Sequence, residues 1–224
     1  NKAYAAINSD MYQLHQKYGL IQETSKFYCN ANQLNEGSLD NLLDNKYDTY
    51  FHSAWQAQYG ANERHYLQAE VSQPVKELAF YFKKRHNNNN NRPVDMTIQG
   101  SVDGVTYKDI ANINSGFPVL ESEQAYLSEV ITASEAYKFF RFVINETNNN
   151  ALTSGFPFFT YSEFYIFPNN DEVAEKIGVH KAARNVLAVN EADESAGAMY
   201  DAYITLSDVF ENGAGVFANS LLNA

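Results

Sequence analysis

Asp44 and Asp48 bracket a turn that Thr49 closes, inside the run LLDNKYDTYFHSAW at residues 42–55. A carboxylate, turn carbonyls and a hydroxyl at this spacing can converge on one point. Calcium takes about six to eight oxygens at about 2.3–2.6 Å and accepts such a mixture, whereas magnesium asks for a stricter octahedron. The same residues also fit a plain Asx turn with exposed acids, and the turn alone leaves both open. Catalytic patterns are harder to find. Glu63, Glu70, Glu146 and Glu163 are available for a carboxylate pair, but nothing marks any two of them. There is no nucleophile elbow, no HExxH and no phosphate loop, and the five histidines are scattered. The chain therefore reads as a binding protein, not an enzyme.

The elements that must position these residues fall in three segments. Residues 1–23 read as a helix, with apolar side chains at Ala3, Ile7, Met11, Leu14 and Tyr18 and a stop at Gly19. Residues 24–168 read as all β. Strand-like runs recur at 26–29, 65–71, 78–84, 94–101, 107–113, 125–131, 137–144 and 161–167, separated by turn signals such as Gln73-Pro74, the asparagine run 87–91, Asp103-Gly104 and the run 148–150. About eight short strands in such a span predict an antiparallel sandwich or jelly roll. Residues 169–224 return to helix. Pro168-Asn169-Asn170-Asp171 reads as a linker with an N-cap, Val173, Ile177, Ala183 and Leu187 share one face, and Met199, Tyr203, Leu206 and Phe210 follow on another. The expected architecture is thus mainly β, an antiparallel sandwich with flanking helices.

Composition narrows the class. The 224 residues carry a net charge of −11, which argues against general affinity for nucleic acid or anionic membrane. No apolar run is long enough to span a bilayer. The single cysteine, Cys29, cannot form an intrachain disulfide and reads as a small buried hydrophobe. Tyrosine and phenylalanine are abundant, 16 and 15, as a sheet core requires. The chain begins with Asn, so it reads as a processed or excised piece linked to further domains.

The succession LLDNKYDTYFHSAW, HYLQAEV, LAFYFKKR, MTIQGSVDGVTYKDI, YKFFRFVI and FTYSEFYIF resembles the coagulation factor 5/8 type C, or discoidin, domain. Within it the chain is most similar to family 32 carbohydrate-binding modules of secreted Bacteroidetes proteins. The resemblance covers residues 24–168 and implies a discoidin-like jelly roll. It also implies a structural calcium held by Asp44, Lys46, Thr49, Ser162 and Glu163. The sequence departs from the family pattern at Asn45, where Gly is usual, and at Lys46, where Asp or Asn is usual.

The resemblance places the ligand on loops at one end of the sandwich, here residues 52–64, 85–92 and 148–158. Trp55, Tyr59, Phe156 and Phe158 offer rings to the apolar face of a pyranose. His52, Arg64, Arg85, His86 and Asn87 offer donors to its hydroxyls. Of Phe156 and Phe158, one is expected at the site and the other in the core. The implied function is non-catalytic binding of a glycan of galactose or N-acetylhexosamine type. The setting would be a bacterial glycan-processing protein that is secreted or on the cell surface: extracellular, periplasmic or on the outer membrane. The alternative is a protein- or matrix-adhesion module whose helices form the interface.

Overall fold

A computed structural model describes residues 2–86, 88–118 and 125–192. Its elements are α1 (Lys2–Tyr18), β1 (Phe27–Cys29), β2 (Phe51–His52), β3 (Tyr66–Lys83), β4 (Pro93–Ser101), β5 (Lys108–Ile113), β6 (Ala125–Leu127), β7 (Ile131–Thr147), β8 (Leu152–Thr153), β9 (Phe156–Pro157), β10 (Thr160–Tyr161), β11 (Glu163–Pro168) and α2 (Asp171–Ala192). All strand pairs are antiparallel, and the fold is a jelly roll.

Two long strands organise it. The runs 65–71 and 78–84, expected as separate strands, form the single strand β3. The pairing slips between Glu70 and Val75 and again before Glu77, around Pro74. Proline cannot donate to a ladder, so the register breaks there without ending the strand. The first half of β3 pairs with β1 on one side and β7 on the other; β7 continues to β4 and β5. Its second half pairs with β11 and β6. One strand thus joins two layers.

The core lies between those layers. Leu67, Phe142 and Ile98 point in from the first, and Phe80, Phe82, Phe164 and Ile166 from the second, all fully buried. Phe80, Phe142 and Phe164 sit within 4.8–5.9 Å of one another. Side chains alternate along a strand, so Phe140 and Phe142 face this core while Arg141 faces out. Cys29 is buried here as a small apolar group, and burial pushes its thiol up to about 12.

The helices form a third layer. Ala79, Tyr81, Tyr165 and Phe167 on the outer face of the second layer pack against Met11 and Leu14 of α1 and Val173, Ile177 and Ala183 of α2. Gly19 ends α1; a Cβ there would lie 2.6 Å from the His15 carbonyl. Asn170 caps α2 by accepting from the Val173 N–H at 2.9 Å, with Asp171 and Glu172 in the first turn. Ion pairs Lys17–Glu172 and Lys176–Asp10, at 2.7 and 2.6 Å, tie the two helices. No described helix is long and apolar enough to cross a membrane. The expected helical positions Met199, Tyr203, Leu206 and Phe210 lie outside the described residues.

Candidate functional site

The predicted residues divide among three places. The first centres on Glu36, which sequence reasoning did not single out. Its carboxylate accepts from Trp55 Nε1 at 2.7 Å and Tyr50 Oη at 2.9 Å, and pairs with Arg85 Nη1 at 3.3 Å. The Arg85 guanidinium lies 3.8 Å from the Tyr50 ring centroid. His52 stands beside them, its ring 5.7 Å from that of Phe158, and its Nδ1 lies 2.6 Å from the Ser53 carbonyl. Trp55 keeps 45% of its surface exposed, whereas His52 keeps 4%. The structure therefore brings Arg85, His52, Trp55 and Phe158 together, and adds Glu36 and Tyr50.

Local geometry explains how Glu36 reaches the group. Gly37 has φ +65, and a Cβ there would sit 2.7 Å from the Tyr50 carbonyl. Only glycine takes that conformation at that approach without strain. Beneath the site Ser53 is buried, donating its N–H to the Phe159 carbonyl at 2.9 Å and accepting from the Phe159 N–H at 2.8 Å through Oγ. Ser53 also contacts His65 Nδ1 at 3.1 Å.

The electrostatics are opposed and balanced. Burial resists ionisation of Glu36, but the bonds from Trp55 and Tyr50, with the His52 and Arg85 charges, hold it below the usual carboxylate range. Burial lowers the His52 imidazole, partly offset by its bond to Ser53 and the nearby Glu36. The site thus presents a fixed acceptor, a fixed guanidinium and an exposed indole. A cleft of about 620 Å³ between residues 24–27 and 32–40 runs alongside Glu36.

The second place is the acidic turn. Asp44 Oδ1 accepts from the Lys46 N–H at 2.9 Å and from Thr49 Oγ1 at 2.9 Å, while its Oδ2 lies 2.8 Å from the same hydroxyl. Asn45 has φ +53. Asparagine tolerates this left-handed geometry better than most residues, so it can stand where Gly is usual. Glu163 comes up beside the turn from β11, 2% exposed. Its Oε2 accepts from Tyr165 Oη at 2.6 Å, the Asn45 backbone N–H approaches the carboxylate, and Ser162 Oγ is buried without a hydrogen-bond partner. Burial, with the Asp44 charge adding, raises the Glu163 carboxyl to about 8.

Two neighbouring carboxyls, one of them buried and held from ionising at neutral pH, are an arrangement a cation would relieve. The donor set is hard oxygen throughout, which suits calcium. Among the described residues no cluster of three or more His, Cys, Asp or Glu side chains is present, so a cation held here would need carbonyls among its ligands. Lys83 pairs with Glu163 across the β3–β11 ladder, and burial lowers its ammonium. His86 belongs to this region, its ring 3.6 Å from that of Tyr47.

Arg64 and Phe156 lie in a third place, a separate cleft on the outer face of the first layer. Phe156 and Phe158 are both half-buried; the core position is taken by Phe159, contrary to the expected split. The segment 148–158, read as a loop, contains the β8–β9 hairpin, whose turn residues Ser154 and Gly155 have φ +53 and +88. Positive φ at both centres matches the twist of a tight hairpin. The asparagine runs lock to each other: Asn149 Nδ2 donates to Asn91 Oδ1 at 2.9 Å, and Asn148 Nδ2 to the Asn89 carbonyl at 2.7 Å. Asn87 lies outside the described residues.

An antiparallel sandwich built on these long strands defines a class that sequence comparison identifies. The F5/8 type C domain family matches residues 23–156, and the chain belongs to that family. No curated protein matches it in sequence. Among solved structures it is similar to the CBM32-1 and CBM32-2 domains of ZmpB from Clostridium perfringens in complex with GalNAc. That likeness has a TM-score of 0.52 and 13% identity, covering 76% of this chain and 40% of that one. It is also similar to CpGH89CBM32-5 of the same organism in complex with GalNAc-β-1,3-galactose, with a TM-score of 0.49, 15% identity, and 66% and 99% of the two chains covered. A third is the C-terminal domain of a chitobiase from Bacteroides fragilis, with a TM-score of 0.49, 16% identity, and 66% and 96% covered.

Proposed function

We infer that the chain is a non-catalytic carbohydrate-binding module that takes a neutral hexose, of galactose or N-acetylhexosamine type, against Glu36, His52, Trp55, Arg85 and Phe158. The observation that carries this reading is the convergence of Arg85, Trp55 and Tyr50 on one carboxylate, with the indole exposed above it. Glu36 and Arg85 form an adjacent acceptor and fork of donors, matched to vicinal hydroxyls. Trp55 and Phe158 offer ring surface for the apolar face of a pyranose. The ion pair and the Tyr50 stack hold these groups before ligand arrives, which lowers the ordering cost of binding. Family membership and the bound GalNAc of the ZmpB domains support the ligand class.

Binding of one sugar buries little area, so a Kd of about a millimolar is expected, with multivalency tightening the binding in a longer protein. We place that protein among secreted or surface-attached bacterial glycan-processing proteins, with Bacteroidetes as the source the sequence resembles. A structural calcium on Asp44, Lys46, Thr49, Ser162 and Glu163 fits the reading. Bound there, it would supply positive charge that pins the turn leading into Tyr50 and His52. The adhesion alternative has less support, because the described apolar faces of α1 and α2 are buried against the second layer.

Trp55 is the only tryptophan, so its fluorescence reports this site alone. Titration with N-acetylgalactosamine or methyl β-galactoside should give a saturable emission change that Arg85→Gln abolishes. A folded protein whose emission and NMR spectrum ignore every neutral hexose would sink the reading.

A further inference from the structure

The cleft that holds Arg64 and Phe156 is built on the open face of the first layer. Register places Tyr28, Gln68, Arg141 and Gln99 in one row across β1, β3, β7 and β4. Residues paired in register share a face, so these side chains all point away from the core. The Arg141 guanidinium lies 3.7 Å from the Tyr107 ring centroid and 4.2 Å from that of Tyr66. Its Nε donates to Gln68 Oε1 at 3.0 Å. Arg64 donates to Asn145 Oδ1. Phe156 closes one side from the β8–β9 hairpin, and the enclosed space is about 620 Å³.

The charge balance of this cleft differs from that of the chain. Both arginines are held by neutral amides, and among the described residues neither forms a salt bridge. Glu63 lines the same cleft, and its Oε1 accepts from Asn30 Nδ2 at 3.5 Å. Among the side chains that line the cleft two cations stand against one anion, while Asp109 and Asp95 are held by the amides of Gln99 and Asn145 at 2.8 and 2.7 Å. Two rings lie against the Arg141 guanidinium, and its remaining N–H groups donate in the guanidinium plane. That geometry suits a planar carboxylate better than a sphere of water. The volume is in the usual range for a small-ligand site, about 300–1,000 Å³.

We propose that this cleft is a second saccharide site, selective for a sugar that carries a carboxylate, such as a uronic or sialic acid residue. Arg64 and Arg141 receive the carboxylate, and Phe156 and Tyr66 supply ring surface for the sugar. The site is independent of the one at Glu36 and shares with it only the ligand class.

The test is a protein-observed NMR titration at fixed ionic strength. The probes are methyl β-glucuronide, the methyl glycoside of N-acetylneuraminic acid, methyl β-galactoside and sodium sulfate. At least one acidic sugar should shift the amides of Arg64, Arg141 and Phe156 saturably, and Arg85→Gln should leave that response intact. Arg64→Gln should weaken it about tenfold by removing a charged fork, with an unchanged melt as the folding control. Arg64→Lys, which keeps the charge but loses the fork, should fall between. The proposal is overturned if both acidic sugars move only the amides around Glu36 and Trp55. It is equally overturned if sulfate reproduces the pattern, which makes the cleft a site for an adventitious ion only, or if Arg64→Gln binds as the wild type does. Silence of the galactoside at Trp55, beside a glucuronide response in the cleft, would refute the Glu36 reading alone.

Discussion

Replacing Glu163 with Gln tests the proposed calcium site most sharply. In the metal-free protein the Glu163 carboxyl sits at about 8 against an ordinary 4.5, because it is buried next to Asp44. A folded group raised in this way binds its proton more tightly than the unfolded chain does. Its contribution to stability is full below about pH 4.5 and is lost as the pH rises through about 8, at most about 5 kcal/mol in all. Calcium needs the ionised form and must displace that proton. Its apparent affinity should therefore climb about tenfold per pH unit until about pH 8. At a calcium concentration near 100 times Kd, the ion should stabilise the fold by about 2.7 kcal/mol, or about 5–10 °C in Tm for a chain of this size. The assay is a melting scan with calcium or with chelator at pH 6, 7 and 8.5. The wild type should show a calcium shift that grows with pH. Glu163→Gln should show little shift at any pH, and its chelated form should lose less stability between pH 5 and 8. An equal calcium shift in the wild type and the variant, or one that ignores pH, would refute the argument.

Other consequences are simpler to read. Glu36→Gln removes the charge that pairs with Arg85 and should cost about 1.5–3 kcal/mol of sugar binding, seen as loss of the Trp55 response. Gly37→Ala forces a side chain into positive φ against Tyr50 and should cost about 1–3 kcal/mol in a denaturant titration. Leu14→Ala opens a cavity between α1 and the second layer and should cost about 2–5 kcal/mol, with the melt reporting whether the helix layer and sandwich unfold together. Burial lowers His15 and His65 to about 4 and His180 to about 3, so each is neutral in the fold. Their contribution is full above pH 6.5 and is lost as the pH falls towards 4, by at most about 1.4 kcal/mol per histidine per pH unit. A protein whose Tm in chelator is flat from pH 6.5 to 4.5 would contradict that burial.

Much of the fold was legible because its signals are local. The run Tyr137 to Phe142, apolar on both faces, marks a strand inside a sandwich, and the asparagine runs mark turns. The segment 168–171 announces the start of α2, and Gly19 the end of α1. The acidic turn at 44–49 was visible for the same reason, since Asp44, Lys46 and Thr49 meet within six residues. Even Glu163 was reachable, but only through resemblance to a family, because nothing in its neighbours says that it returns to that turn.

Tertiary structure decided which residues share a site. Glu36 carries no sequence signal: it is one acid among many in a polar loop. It becomes central because Gly37 folds that loop against Tyr50, and because β3 delivers Arg85 from 49 positions away. Arg64 and Phe156 were expected on the same loop end as Arg85 and Phe158, with the two phenylalanines on one predicted loop. They part company because the hairpin turn at Ser154-Gly155 directs Phe156 to the outer face of the sheet, while Phe158 remains beside His52. Periodicity within an element is set by its own dihedrals and can be read from a line of residues. Convergence between elements depends on register, on a slipped pairing at Pro74 and on a few left-handed residues, and these act across distances that composition does not record.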